Sequence, residues 1–349
     1  MPRLLALAAA LVPALPTLAG EDFLHLDVGD PHRRLRTAPL VLHCVTDTRS
    51  GEILAPSQLI DRLANTRLLL MGEDHADPES HRAQRRLIEL LHRSGRPVLI
   101  GLEMLPKSEQ AHLERWTGGG LTEDAFVEAS GWRRHWGHSW EHYRDVFLYA
   151  RDNGLRMYAL NAPREVIAAV RTIGFEALTP EQRRYLPPSV NTDNDEHRRM
   201  IRAALSAHDE VHRSSSSLDE EGLFRAQATW DAVLGWNAVE ALQRAGDPEA
   251  IMVLLTGAVH VAYGLGIERQ IAPHFDGEIR SLITVPVRTP QGEPVEEVSA
   301  AYADYVWAVP SRHEVAQHSR AVDQKRKRIP SPSAFMPPSS PSRPQASER

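Results

Sequence analysis

Apolar residues along this chain gather in short runs at Leu68 to Met71, Pro97 to Leu102 and Ile251 to Leu255, and Arg156 to Leu160, Ile279 to Val285 and Tyr305 to Val309 read as further strands. Runs of this length without polar alternation predict strands covered on both faces, as in a parallel sheet under helices. Between them lie patterns of helical period, at about Glu79–Ser94, Lys107–Trp116, Glu141–Asn153 and Pro163–Ile173. Glycine and asparagine punctuate them at Gly95, Gly118–Gly120 and Asn153–Gly154. The expectation is an α/β fold with a mostly parallel central sheet flanked by helices.

From Thr179 to Gly246 strand character is weak, and Asp193–Arg213 and Glu220–Arg244 predict two long helices around a polar Ser214–Ser217 turn. We read 179–246 as a helical insertion. Its second helix sets Gln227 and Asp231 one turn apart, a pair that faces either inward or solvent. Before the first clear strand, Glu21–Ser50 is weakly patterned and Ile53–Ala64 suggests a short strand, a turn and a helix start at Pro56–Ser57.

Chemistry begins where the apolar runs stop. Glu73 and His75 follow the first strand, Glu103 the second, Asn161 the third and His260 the fourth. In an open parallel sheet these ends share one edge, the edge at which ligands bind. Two of the turns, GEDH and GAVH, have the form Gly-x-x-His, with glycine freeing the backbone to turn sharply. Glu73, His75, Glu103 and His260 are therefore candidate catalytic residues, as general acid and base. Alternatively His75, Glu103 and His260 ligate a divalent metal that polarises a carbonyl and activates water. The stretch Leu121–Trp140 is dense in Trp and His and suits either a packed aromatic subdomain or a ligand-pocket wall.

Composition sets outer bounds. The formal net charge is −6, but the segment 311–349 holds eight Lys and Arg against three acids, so the rest of the chain carries −11. A nucleic-acid partner for the folded part is not expected. That tail, with Lys325–Arg328 as a charge run and six prolines from Pro330 onward, cannot bury a core and is expected to be disordered, with attraction to an anionic membrane surface as its one suggested contact. At the other end Arg3, the apolar stretch Leu4–Leu15 and the small residues to Ala19 predict a cleaved signal peptide over 1–19 and a secreted or periplasmic protein. Glu21 stands where a lipoprotein signal needs cysteine, so no lipid anchor is expected. Cys44 is the only cysteine, is expected to be a small buried residue, and cannot form an intramolecular disulfide.

Several blocks in order carry a family resemblance: GEDHADPESHRAQ at 72–84, GLEM at 101–104, Gln110, WEHYRDVFLYAR at 140–151, ALNAPRE at 159–165, AQATWD at 226–231, GAVHVAYGLGI at 257–267 and ADYVW at 303–307. With these the chain resembles the ChaN-like haem-binding uptake proteins, within a superfamily that includes Tiki proteases, TraB-like proteins and erythromycin esterases. The resemblance spans about Glu52–Val309, inside an expected domain over 22–310. It implies a bacterial envelope protein of haem or iron acquisition that binds haem at a homodimer interface through a tyrosine. Tyr143, Tyr158, Tyr185 and Tyr263 are the candidate ligands, with Asn161 and His81 as further cofactor contacts. Members often carry two adjacent histidines where this chain has Ser80–His81, and typical members are lipoproteins. The Tiki-like branch implies instead a metal-dependent protease matched at His75, Glu103 and His260.

Overall fold

The structure is a computed structural model that describes residues 22–208, 219–289 and 292–311. A short N-terminal 3-10 turn, Phe23–His25, leads to β1 (Thr37–Pro39), β2 (Val45–Asp47), β3 (Glu52–Leu54) and α1 (Leu59–Arg62). Then β4 (Thr66–Glu73), α2 (Pro78–Arg93), β5 (Val98–Pro106) and α3 (Gln110–Thr117) alternate. The Trp- and His-dense stretch forms α4 (Glu123–Ala129) and α5 (Trp132–His135), followed by α6 (Trp140–Asp152), β6 (Arg156–Asn161) and α7 (Arg164–Ile173). The insertion carries α8 (Pro180–Arg183), α9 (Asp195–His208) and α10 (Glu220–Ala245). The chain ends its described part with β7 (Ile251–Gly257), α11 (Ile267–Ile271), β8 (Glu278–Pro286), β9 (Glu297–Ser299) and β10 (Tyr305–Val309).

Eight strands form one sheet in the order β3-β2-β10-β8-β4-β7-β5-β6, and β1 pairs with β9 in a separate ribbon. All five pairings from β10 to β6 are parallel, whereas β2 joins β10 and β3 in antiparallel fashion. The predicted parallel sheet is therefore present, with an antiparallel edge and a small ribbon that the weak patterning of the first 55 residues did not disclose. Successive residues of a strand point to opposite faces, and both faces here are dry. Leu68, Leu70, Met252 and Leu254 pack under α10 and α11 on one side, and Leu69, Met71, Val253 and Leu255 join the α2, α3 and α6 side.

Local signals set the helix that approaches the site. The Asp77 side chain accepts from the Glu79 amide, and Pro78 opens α2, the usual chemistry of a helix start. Strands β4 and β5 run further than their apolar runs, so Glu73 is a strand residue rather than part of a loop. Among the described residues the insertion holds helices and no strand; the Ser214–Ser217 turn lies outside the described residues, as do the signal segment 1–19 and the tail beyond Ser311. Cys44 is free and half-buried, not buried as expected, because it sits in the turn before β2 and not within a strand. No described helix is long and apolar enough to cross a membrane.

Candidate functional site at the carboxyl edge of the sheet

The register of β4, β7 and β5 places the sequence candidates side by side. Glu73 lies opposite Gly257, and Leu102 opposite Leu255, which brings Glu103 next to Thr256. Both acids are buried, at 3% and 2% exposure. A buried carboxylate is costly unless it is hydrogen-bonded or paired, and each is fully engaged. One oxygen of Glu73 accepts from the Tyr143 hydroxyl at 2.5 Å and from His75 Nδ1 at 2.8 Å, and the other from the Gln84 amide. One oxygen of Glu103 accepts from the Thr256 hydroxyl and the Gly257 amide, both at 2.8 Å. Its other oxygen faces His260 Nε2 at 3.4 Å.

Across the ring His260 Nδ1 donates to Asp231 at 2.6 Å, and the Gln227 amide nitrogen lies 2.9 Å from the same ring nitrogen. The two residues spaced one turn apart on α10 thus face inward. Asp231 is also 3.4 Å from Nε2 of His197, a fully buried histidine from α9 whose Nδ1 takes a hydrogen bond from Arg269.

Each imidazole therefore rests its Nδ1 on a buried carboxylate, Glu73 for His75 and Asp231 for His260. Such a partner fixes the tautomer and the ring orientation; the Nε2 of His260 then faces Glu103. The His75 ring lies against the Gly257 backbone so closely that a Cβ there would stand 2.9 Å from it. Its side chain is 28% exposed, the most open of the set.

The charges are tuned by this packing. Burial works against protonation of His260, but the charge of Glu103 and the bond to Asp231 outweigh it and push the imidazole up to about 10. Burial likewise opposes ionisation of Glu103, yet His260, His75 and the Gly257 amide hold it down at about 2. His75 is raised, burial being outweighed by Glu73 and Glu103. For His197 burial wins and lowers it to about 4, so it is neutral at pH 7.

The aromatic segment closes over this edge. Trp136 meets the His75 ring edge-on at 4.7 Å between centroids and His138 lies at 4.9 Å. Trp132 and Trp140, by contrast, pack with Phe147 in the core. The segment is both a packed subdomain and a wall.

The remaining candidates are dispersed. His81 is buried under the site, stacked on His142 and 3.2 Å from the His75 carbonyl. Asn161 donates to the Glu103 carbonyl at 2.7 Å, and its own side-chain oxygen is buried without a partner. Tyr143 is buried against Glu73; burial and that carboxylate raise its phenol far above the ordinary value. The Tyr263 hydroxyl donates to the Phe23 carbonyl at 2.7 Å and accepts from the Leu26 amide at 3.0 Å, and burial raises it too. Tyr158 is half-buried on the edge strand β6, and Tyr185 is 37% exposed in the insertion. The four tyrosines do not share a site. Among the described residues no group of three or more His, Cys, Asp or Glu side chains is placed to hold a metal ion, so the metal expectation at His75, Glu103 and His260 gains no support from geometry.

Sequence reading missed Gln84, Thr256 and His197. Gln84 lies within the GEDHADPESHRAQ block, three residues after His81 on one face of α2, and was legible in principle. Nothing local marks His197, which only the packing of α9 on α10 brings to Asp231.

An α/β protein with a polar site beyond its parallel strands is the class that fold and geometry define. The chain belongs to the family described as haem-binding uptake, Tiki superfamily, ChaN, which matches residues 59–271. Among solved structures it is similar to ChaN of Campylobacter jejuni with cofacially bound haem, at a TM-score of 0.58 and 17% identity, over 77% of this chain and 98% of that one. At that identity the likeness establishes the fold. It is also similar to an erythromycin esterase, EreC, in its open conformation, at a TM-score of 0.44 and 12% identity over 79% of this chain and 98% of that one. A curated relative, the chloroplastic protein RETICULATA-RELATED 5 of Arabidopsis thaliana, is 23% identical over 307 residues, 77% of this chain. The chain spans 39% of that relative's length.

Proposed function

We propose that this protein is a secreted or periplasmic haem-binding protein of haem uptake, acting as a homodimer. The observation that carries the reading is the family match over 59–271, supported by a fold shared with a ChaN structure that holds haem. Ferric haem accepts tyrosinate as an axial ligand. Of the buried candidates, Tyr143 is enclosed by the core, whereas the Tyr263 hydroxyl is covered by two hydrogen bonds from the segment Phe23–Leu26, which precedes the matched stretch. Tyr263 is also one of two non-glycine residues at positive φ among those described, at 62°. Such a conformation persists only where its surroundings impose it, and tends to mark functional positions. These features favour Tyr263 as the ligand, reached when the Phe23 turn lifts. Bound haem would supply an iron centre for transport; the chain would hold it.

The test is a haemin titration of the mature protein followed by absorbance, repeated with Tyr143, Tyr158, Tyr185 and Tyr263 each changed to Phe. A saturable shift near one haem per chain, lost only in Tyr263→Phe, supports the reading. An unchanged haem spectrum removes it.

The two carboxylate-seated imidazoles favour a second reading, hydrolysis at the polar edge. There His75, the more open ring, would move a proton to or from a substrate lying against Trp136 and His138, with Glu73 holding its tautomer. Glu103 and His260 would stabilise charge developing beside it. Chromogenic ester and peptide substrates, assayed with and without added divalent metal, test it; absence of turnover abolished by His75→Ala would remove it.

A further inference from the structure

Two buried polar atoms of the insertion face each other without bonding. Nε2 of His197 and Oδ2 of Asp231 stand 3.4 Å apart, both shielded from solvent, and neither makes a hydrogen bond to any described residue. Both side chains are fully buried. A buried donor and acceptor left unbonded in a native fold call for an explanation, and a catalytic role is one of the few available.

The proton inventory tells which atom donates. A guanidinium only donates, so the contact from Arg269 at 3.1 Å makes His197 Nδ1 the acceptor. Burial holds His197 down at about 4, so near neutral pH the ring keeps one proton, on Nε2. Arg269 is itself pinned to the Leu265 carbonyl at 2.9 Å and the Asn191 carbonyl at 3.1 Å, and Phe224 meets the imidazole edge-on at 5.0 Å between centroids. The ring is thus held with its one N–H on the side of Asp231.

Asp231 uses only its other oxygen, Oδ1, toward His260 Nδ1 at 2.6 Å and the Gln227 amide at 3.2 Å. A carboxylate bonded through one oxygen can turn about its Cβ–Cγ bond, and that turn displaces the oxygen on which His260 rests. A donor on Oδ2 stops the turn. The outer partner of a histidine's partner orients the whole chain in this way.

We propose that His197 is a positioning residue for His260: its Nε2–H closes onto Asp231 Oδ2 and locks the carboxylate that seats the His260 ring. The closure is a shift of about half an ångström, from the present separation to an ordinary hydrogen bond. It makes α9 the outer end of a chain that runs from Arg269 through His197, Asp231 and His260 to Glu103. The assignment deepens the hydrolytic reading of the polar edge and rests on it for its purpose, but its test reads His260 itself, so absence of turnover and failure of the assignment are separate results.

The test is proton NMR of the mature protein carrying isotope-labelled histidine, near neutral pH, with the His260 Nδ1 proton assigned by its absence in His260→Gln. Its exchange with solvent is compared among wild type, His197→Phe, which fills the space of the ring without an N–H, and His197→Gln, which carries an amide N–H to the region of Nε2. Exchange is expected to be faster by about tenfold or more in His197→Phe and to return near the wild-type rate in His197→Gln. An equal rate in wild type and His197→Phe overturns the proposal, as does a wild type without a slowly exchanging His260 proton. Fast exchange in both variants overturns it too, because the shape of the ring and not its N–H would then be what counts. If His197→Phe fails to fold, Arg269→Leu frees Nδ1 to take the proton and is expected to speed exchange in the same direction; an unchanged rate there overturns the proposal.

Discussion

Asp231 Oδ1 and His260 Nδ1 lie 2.6 Å apart, the one carried by a helix of the insertion and the other by the turn after β7. The contact ties the insertion to the sheet edge and leaves the second ring nitrogen facing Glu103. Removing one member of a buried, hydrogen-bonded ion pair is expensive because the other stays behind. Asp231→Asn is expected to lower stability by about 3 kcal/mol, measured by urea unfolding at pH 6, and to lower the His260 pKa in histidine NMR. An unmoved His260 titration would show that Asp231 does not hold the ring.

The same network fixes a pH window. His260 is raised from 6.5 to about 10, so its contribution to stability is complete below 6.5 and is lost as pH rises toward 10. Glu103 is lowered from 4.5 to about 2, so its contribution is complete above 4.5 and is lost as pH falls toward 2. Both limbs describe one ion pair and do not add. The stability difference between wild type and Glu103→Gln is expected to be largest between pH 4.5 and 6.5 and to shrink on either side. A difference that stays flat from about pH 3 to about pH 9, read by denaturant titration, would contradict the pairing.

Tyr143 and Glu73 form the second joint, between α6 and β4. Tyr143→Phe keeps the ring in its packed position and deletes one donor to a buried carboxylate, for an expected cost of about 1–3 kcal/mol in thermal or urea unfolding. His75 shares the oxygen that Tyr143 releases, so its ring should then bind Glu73 more tightly and titrate higher. A His75 titration that falls instead would mean that Tyr143 positions Glu73 for it.

Much of this arrangement is legible in the sequence because parallel strands buried on both faces must be apolar throughout, and their polar neighbours must then gather at one edge. Glu73, Glu103 and His260 follow from that rule alone. The edge hairpin β2–β3 and the β1–β9 ribbon do not, because three-residue strands leave no measurable period. Gln227 and Asp231 are readable as a pair, but their inward orientation depends on how α10 rolls on the sheet. His197 depends on packing between two helices of the insertion, which no local pattern encodes. The tyrosines illustrate the same limit: four residues of equal standing in the sequence acquire different environments only through the fold.

Gly257 is required by its neighbour rather than by its own backbone. Its φ is −62°, open to any residue, but an added Cβ would meet the His75 ring at 2.9 Å. Because His75 is partly exposed, the ring can swing away from Glu73, so Gly257→Ala is expected to cost little stability, about 1 kcal/mol. The His75 pKa should fall toward its ordinary value as the Glu73 bond is lost. Histidine NMR checks this, and an unchanged His75 titration would place the ring elsewhere.

Phe23 is the cover whose removal tests access to Tyr263. Its ring meets Tyr263 edge-on at 6.3 Å and Tyr302 at 6.0 Å, and its carbonyl accepts a hydrogen bond from the Tyr263 hydroxyl. Aromatic pairs of this geometry are worth about 0.5–1.5 kcal/mol each beyond burial, so Phe23→Ala loosens the turn while β4, β5 and β7 stay packed. The phenol should become reactive toward tetranitromethane, read as nitration of the Tyr263 peptide by mass spectrometry, and haemin should bind more tightly than to wild type. Equal nitration in both proteins would show that the turn does not guard Tyr263. Increased nitration without tighter haemin binding would separate an opened phenol from a haem ligand, and would turn attention to Tyr158 and Tyr185.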